Sequence, residues 1–230
     1  MAVDSHVDRG EGLRGLTAPE SVRGPGGLAL LLREQTAEHH RRAEGAHFQR
    51  LLFAGQLPLE QYVRWLEQLR AVHKALEARL WLNWDSPAWR ELTAPDRRRS
   101  VQLEQDLLSL ERTILAEPGA ATQRFLAQLA SLPDDPPAAL LGALYVLEGS
   151  SNGSRMMARG LRVAYNLPGV EGTRNLDPYG EAQPVRWQAF RAALDEALPE
   201  SAWPAALDGA RICFEAITQM GEDLLAQSAD

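Results

Sequence analysis

Three of the five histidines, His39, His40 and His47, fall in one short stretch. Histidine concentrated in this way can serve acid–base chemistry, metal ligation or packing. His40 stands out because Glu44 follows it by four residues, one helical turn. That carboxylate can accept the Nδ1 proton and leave Nε2 free as a metal ligand. His39 is the rival ligand, since it lies nearer the leucine edge of the same segment.

A second unusual stretch runs from Leu140 to Leu161 and reads as one interrupted helix. Gly142, Gly149, Gly153 and Gly160 are spaced by seven, four and seven residues, and each costs roughly 1 kcal/mol relative to alanine in a helix. These are helical spacings, so all four project onto one face and form a stripe without side chains. Either a second helix or a flat molecule can lie against such a stripe. At its centre, Gly149-Ser150-Ser151-Asn152-Gly153 weakens the helix and supplies hydroxyl and amide groups. The expectation is a kink with exposed backbone amides and room for ordered water.

The elements that must position these groups are all helical in pattern. Leu28 to Phe48 is expected as one helix, with Leu28, Leu32, His39, Ala43 and Ala46 on one side and Ala29, Arg33, Thr36, His40, Glu44 and His47 on a neighbouring strip. Leu59 to Trp81 forms a long helix entered at Pro58, with Tyr62, Trp65, Leu69, Val72, Leu76 and Leu80 inward, and Asn83 to Pro87 ends it. A third helix opens at Pro95-Asp96 and runs to Leu115, its inner side made by Val101, Leu103, Leu107, Leu108, Ile114 and Leu115. A shorter one spans Thr122 to Leu132 and stops at the proline-rich breaker before the glycine-striped helix. Asn166 to Gly180 reads as a loop over the pocket end of that helix, long enough to suggest function or mobility. Val185 to Leu198 and a last helix after Trp203-Pro204 complete the chain. Met1 to Gly27, rich in glycine and charge, reads as a mobile tail. The fold class is all-α, with residues 28–228 forming a single domain.

Composition bounds the function. A chain of 230 residues with 45% hydrophobic content suits one domain with a buried pocket. A net charge of −7 argues against a nucleic-acid scaffold and against anionic membranes, either of which favours a basic face. The single cysteine, Cys213, excludes an internal disulfide and a cysteine cluster, and fits a reducing cytoplasm. It reads as a small buried hydrophobe. Leu28 to Leu32 is too short to cross a bilayer, and residues 1–27 lack the pattern of a signal peptide.

The segment from Leu32 to Glu44, with Leu32, Arg33, Glu34, Thr36, His40, Ala43 and Glu44 in register, resembles the proximal helix of heme oxygenases. Leu144-Tyr145-Val146-Leu147-Glu148-Gly149-Ser150 with Gly153 is similar to the distal helix of bacterial members. Ala210, Phe214, Gln219, Glu222 and Leu224 match the spacing of the last helix, and Trp187-Gln188-Ala189-Phe190-Arg191 looks like the helix that brings a basic residue to the heme propionates. The resemblance covers Leu28 to Leu225. It implies an all-α bundle with heme b between the first helix and the kinked glycine-rich helix, His40 ligating the iron and Gly149 to Gly153 lying over the macrocycle. Arg33, Tyr145 and Arg191 match groups that hold the propionates, and Phe214 lines the pocket or core. Heme is then both cofactor and substrate, opened with O2 and an external reductant to biliverdin, carbon monoxide and ferrous iron. An axial imidazole differs from a thiolate, which promotes cleavage of the oxygen–oxygen bond.

The sequence departs from many members of that family in one place. An aspartate usually follows the first distal glycine and holds the water network, and here Ser150 stands there, with Ser151 and Asn152 as further water anchors. A carrier or sensor that binds heme without degrading it is therefore the alternative. A di-iron carboxylate oxidase ranks last, because only Glu44 to His47 has the Glu-x-x-His spacing. The expected partners are an electron donor such as a ferredoxin or flavoprotein reductase and a bilin-binding photoreceptor that takes the product. Arg97-Arg98-Arg99 reads as a solvated helix start, and as a landing site for an acidic donor. The six tryptophans read as core and rim aromatics.

Overall fold

Small residues decide how the two central helices meet. Ala139, Gly142, Ala206 and Gly209 face one another across the crossing of α8 (Ala138–Gly149) and α11 (Trp203–Ala226). A Cβ on Gly142 would collide with the carbonyl of Ala206, and one on Gly209 with the carbonyl of Ala139. Each glycine therefore lets the partner backbone approach where a methyl group would not fit. α8 is buried along almost its whole length, as its uniformly apolar sequence requires.

The protein is described by a computed structural model over residues 26–81, 86–112, 116–134 and 137–227, and no strand occurs among them. Around the α8–α11 pair, α4 (Leu59–Leu80) packs on α6 (Arg99–Ser109) and α7 (Ala120–Ser131), and α10 (Gln183–Ala197) packs on α5 (Pro87–Leu92). The first helical run is three pieces, α1 (Leu28–Gln35), α2 (Ala37–Gly45) and α3 (His47–Phe53). α2 lies on α11. The expected single helix is broken at Thr36, whose buried hydroxyl donates back to Leu32 O at 2.6 Å, and at Ala46, whose backbone is extended. A hydroxyl bonded to its own preceding turn bends a helix there.

Few of these helices carry their own caps. Instead, carboxylates from distant elements accept their first N–H groups: Asp195 from Ala29 at 2.7 Å, Glu222 from Phe48 at 3.2 Å, Glu77 from Ser100 at 2.9 Å and Asp223 from Ala121 at 3.2 Å. Each bond satisfies an orphan donor and places negative charge at the positive end of a helix. The caps thus also tie α1 to α10, α3 and α7 to α11, and α6 to α4.

Several expectations change. α6 is shorter than expected, ending before Glu111, whose φ is positive, and Val101 and Leu108 point outward while the buried Asp106 joins Leu103 and Leu107 inside. The segment after α9 (Ser151–Ala164) is pinned to the core. Asp106 accepts the backbone N–H groups of Arg174 at 2.8 Å and Asn175 at 2.9 Å, and Tyr62 donates to Gly172 O at 2.7 Å. Gly172 has φ +75, a conformation that only glycine adopts freely. Apart from Gly26 and Gly27, the expected tail lies outside the described residues, as do Asn83, Trp84, Ile114, Leu115 and residue 228.

Candidate active site

On α2, His40 keeps its imidazole 56% exposed, with Nδ1 3.3 Å from Glu44 Oε2 one turn on. The Phe214 ring, from α11, stands nearly perpendicular to the imidazole at a ring separation of 5.8 Å. Among the described residues Nε2 of His40 has no other partner. His39 points elsewhere: its Nε2 lies 3.7 Å from Glu215 on α11, and its Nδ1 is buried without a partner. Of the two neighbouring imidazoles, only His40 is open to a ligand from outside the bundle.

Arg33, on α1, lies seven residues before His40, on the other side of the break at Thr36. Arg33 lines a cavity of about 410 Å³ together with Tyr145 of α8 and Trp187, Gln188 and Arg191 of α10. That volume is within the range of small-molecule sites. Burial pushes the Tyr145 phenol up, while Arg191 and Arg33 pull it back down. Two cations and a protonated phenol from three helices therefore converge on one space, a donor set suited to carboxylates, and the one carboxylate in the lining, Asp195, is engaged by the Ala29 N–H. Trp187 forms one wall. Its ring lies 5.6 Å from that of Tyr145 and stacks on Phe190 at 5.5 Å, with the Arg191 guanidinium 5.8 Å from its centre.

The helix is interrupted at Ser150, between α8 and α9, where the kink was expected, although Ser150 itself keeps helical dihedrals. Three successive side chains bond back to the preceding turn: Ser150 to Leu147 O at 2.7 Å, Ser151 to Glu148 O at 2.7 Å and Asn152 to Gly149 O at 3.0 Å. The hydroxyl protons of Ser150 and Ser151 are thus committed to carbonyls, while the Ser150 oxygen and the second Asn152 Nδ2 proton remain for water. Gln183, at the start of α10, donates from Nε2 to Ser151 Oγ at 2.8 Å and to Asn152 Oδ1 at 3.1 Å.

The glycine stripe also divides into parts with different tasks. Gly142 serves the α8–α11 crossing. Gly149 is close to Trp187, since a Cβ there would lie 3.3 Å from the indole. Gly153 and Gly160 have nothing within 4 Å of where a Cβ would sit, so that part of the stripe is open.

Behind the kink lies a charged cluster. Glu148, with 3% of its side chain exposed, is paired with Arg97 and, at 3.3 Å, with Arg99, and accepts from Tyr179 OH at 2.7 Å. Arg97 also bonds Glu91 and the carbonyl of Arg186. Burial alone would weaken the Arg97 proton, but Glu148 and then Glu91 outweigh it, so the guanidinium is held above its ordinary value. Burial, then Glu148, raises the Tyr179 phenol, which stays a donor. The reading of Arg97-Arg98-Arg99 as a solvated landing site is thus overturned: Arg97 and Arg99 are buried and only Arg98 is exposed. A lone carboxylate closing the apolar run from Leu140 to Leu147 was a signal that such partners must exist. Gln183 offered no comparable signal.

Among the described residues no three histidine, cysteine, aspartate or glutamate side chains form a set able to hold a metal ion. A lone imidazole instead suits a metal that brings its own equatorial ligands, as heme iron does. The open stripe at Gly153 and the two arginines facing the cavity fit a flat molecule with carboxylate arms.

Comparison with known proteins bears on the family and the fold. The heme oxygenase of Porphyra purpurea is 27% identical over 173 residues, 73% of each chain. Heme oxygenase-1 of the cyanobacterium Synechocystis sp. PCC6803, solved in complex with heme, shares the fold with a TM-score of 0.76 at 22% identity, over 89% of this chain and 96% of that one. Heme oxygenase from Leptospira interrogans does so with a TM-score of 0.75 at 25% identity, over 85% and 98%. The heme oxygenase family profile matches residues 27–223, and with that extent of match this chain belongs to the heme oxygenase family.

Proposed function

We propose that the protein opens heme b, using O2 and electrons from an external donor, to biliverdin, carbon monoxide and ferrous iron. The convergence of Arg33, Tyr145 and Arg191 on one cavity, with an open imidazole at His40 on the next helix, carries this reading. Bound heme would supply both the iron at which O2 is activated and the macrocycle that is oxidised.

The residues act on it as follows. His40 Nε2 would hold the iron, and Glu44, 3.3 Å from Nδ1, would keep the ring oriented for it. Arg33 and Arg191 would hold the propionates, with Tyr145 as a further hydrogen-bond donor to them. Backbone at Gly149 to Gly153 would lie against the macrocycle, and the open space at Gly153 would permit close approach. Phe214 packs nearly perpendicular to the imidazole. Water is excluded on the inner side by the buried face of α8 and by Trp187.

Cytoplasmic location, a ferredoxin or flavoprotein reductase as donor, and a bilin-binding photoreceptor as recipient of the product belong to the same proposal. No described helix is long and apolar enough to cross a membrane. The alternative, a heme carrier or sensor, is favoured by one observation: Ser150 has neither the charge of an aspartate nor a free donor.

The deciding experiment adds hemin, then ascorbate and air in the presence of catalase. Loss of the Soret band with release of a green pigment and carbon monoxide is expected. A Soret band that persists through these conditions, in protein that binds hemin tightly, would establish the carrier instead.

A further inference from the structure

We propose that Gln183 is the positioning residue of the distal kink, holding Ser151 and Asn152 through Nε2 and anchoring an ordered water through Oε1. The inference rests on the heme oxygenase reading and deepens it: it identifies what stands in for the absent aspartate at Ser150.

The amide's orientation follows from its neighbours. Ser151 Oγ has given its proton to Glu148 O, and Asn152 has turned Nδ2 toward Gly149 O, so each presents an oxygen to Gln183. Only the nitrogen of the amide can satisfy both, at 2.8 and 3.1 Å. Oε1 therefore faces the other way. It is buried, on a residue only 8% exposed, and it has no hydrogen-bond partner among the described residues. A buried carbonyl left unpaired costs roughly 1–3 kcal/mol, and the usual remedy in a polar recess is a bound water. Both partners of Nε2 belong to the kink itself, so a water held at Oε1 sits within one side chain's length of the distal segment. Glutamine and not glutamate is required at 183, because a carboxylate would face two acceptors.

The amide has a mechanical part as well. Gln183 is the first residue of α10, the helix that also carries Trp187 and Arg191. Its two bonds tie the kink to the helix that lines the cavity, so the distal segment and the propionate site share one support.

The test compares the parent with Gln183→Leu, Gln183→Glu and Asn152→Ala, the last at an exposed position where folding is not at risk. Three readouts are taken on the full chain: ordered water in a high-resolution crystal structure, with and without hemin; the pH midpoint of the ferric water-to-hydroxide absorption change; and the rate of ascorbate-driven Soret loss. The parent should show a water within about 3 Å of Oε1. Gln183→Leu and Gln183→Glu should move the pH midpoint by about half a unit or more and slow Soret loss about tenfold, with hemin affinity within about threefold of the parent. Asn152→Ala should show the same changes at smaller size.

A parent crystal without water at Oε1, or variants matching the parent in both midpoint and rate, would overturn the assignment. A parent that binds hemin but never opens it would remove the oxygenase reading alone. The crystallographic water and the pH midpoint, neither of which needs turnover, would still decide the role of Gln183.

Discussion

Glu148 and Arg97 form an ion pair from which water is almost wholly excluded, with 3% and 1% of their side chains exposed. It lies directly behind Gly149, so the charge balance of the core and the position of the distal kink depend on the same contact. Arg99 and Tyr179 complete the coordination of the carboxylate. A buried pair of this kind contributes little net stability when whole and costs much when one half is removed.

Replacing Arg97 with methionine leaves Glu148 and Glu91 without their main partner. The expected loss is about 3 kcal/mol or more of unfolding free energy, read by urea denaturation. An exposed control, Arg98→Met, should stay within about 0.5 kcal/mol of the parent. Equal effects at the two positions would show that the buried pair is not what distinguishes them.

Removing the His40 imidazole should abolish the parent's ferric-heme Soret spectrum, while His39→Ala retains it, because His39 is turned toward Glu215. A hemin titration of the two variants settles the register, and the opposite pattern would move the ligand by one residue.

Loss of either cavity arginine, by Arg33→Ala or Arg191→Ala, should weaken hemin binding about tenfold, the scale of one charge-assisted hydrogen bond. Since the propionates fix the ring's rotation, chromatography of the product should also show an altered biliverdin isomer ratio. Unchanged affinity and an unchanged isomer in both variants would mean that the arginines face only solvent.

The divided glycine stripe predicts opposite outcomes for two similar changes. Gly142→Ala drives a methyl group into the carbonyl of Ala206 and should destabilise the protein by about 3 kcal/mol. Gly153→Ala meets nothing within 4 Å and should raise the stability of the ligand-free protein by about 1 kcal/mol, the helix-propensity difference, while lowering hemin affinity. Thermal melts with and without hemin measure both effects.

Burial, with Arg99 adding to it, pushes the His73 imidazole from 6.5 down to about 3. The unfolded chain takes up that proton near pH 6.5 and the folded chain does not, so between the two values the unfolded state binds more protons and stability rises with pH. Acidifying below pH 6.5 should therefore lower the unfolding free energy, by at most about 1.4 kcal/mol per unit. Glu77, 3.9 Å from His73, and Asp106 have carboxyls raised by burial and act in the opposite sense. His73→Leu leaves their contribution in place, so the informative quantity is the difference in slope between parent and variant. Identical slopes would mean that His73 is protonated in the folded protein.

Helical periodicity in the amino-acid sequence was enough for the all-α class and most of the helices, because burying one face of a helix leaves a repeat near 3.6 residues in the chain itself. The spacing of His40 and Glu44 and the kink at Ser150 are likewise local, set within one or two turns. Arg33, Tyr145 and Arg191 were marked by resemblance to a family, and their meeting at one cavity needed three helices to pack. What lay beyond the sequence was every choice made between distant segments. Thr36 bends a helix that looks continuous, and carboxylates on α4, α10 and α11 cap helices that have no caps of their own. Arg97 and Arg99 are buried although a run of three arginines reads as solvated, since Glu148 waits for them across the core. Gly142 and Gly153 are identical in sequence terms, yet one is filled by a neighbouring backbone and the other stays open. Burial, partner and free volume are properties of a residue's spatial neighbours, and chain order does not list them.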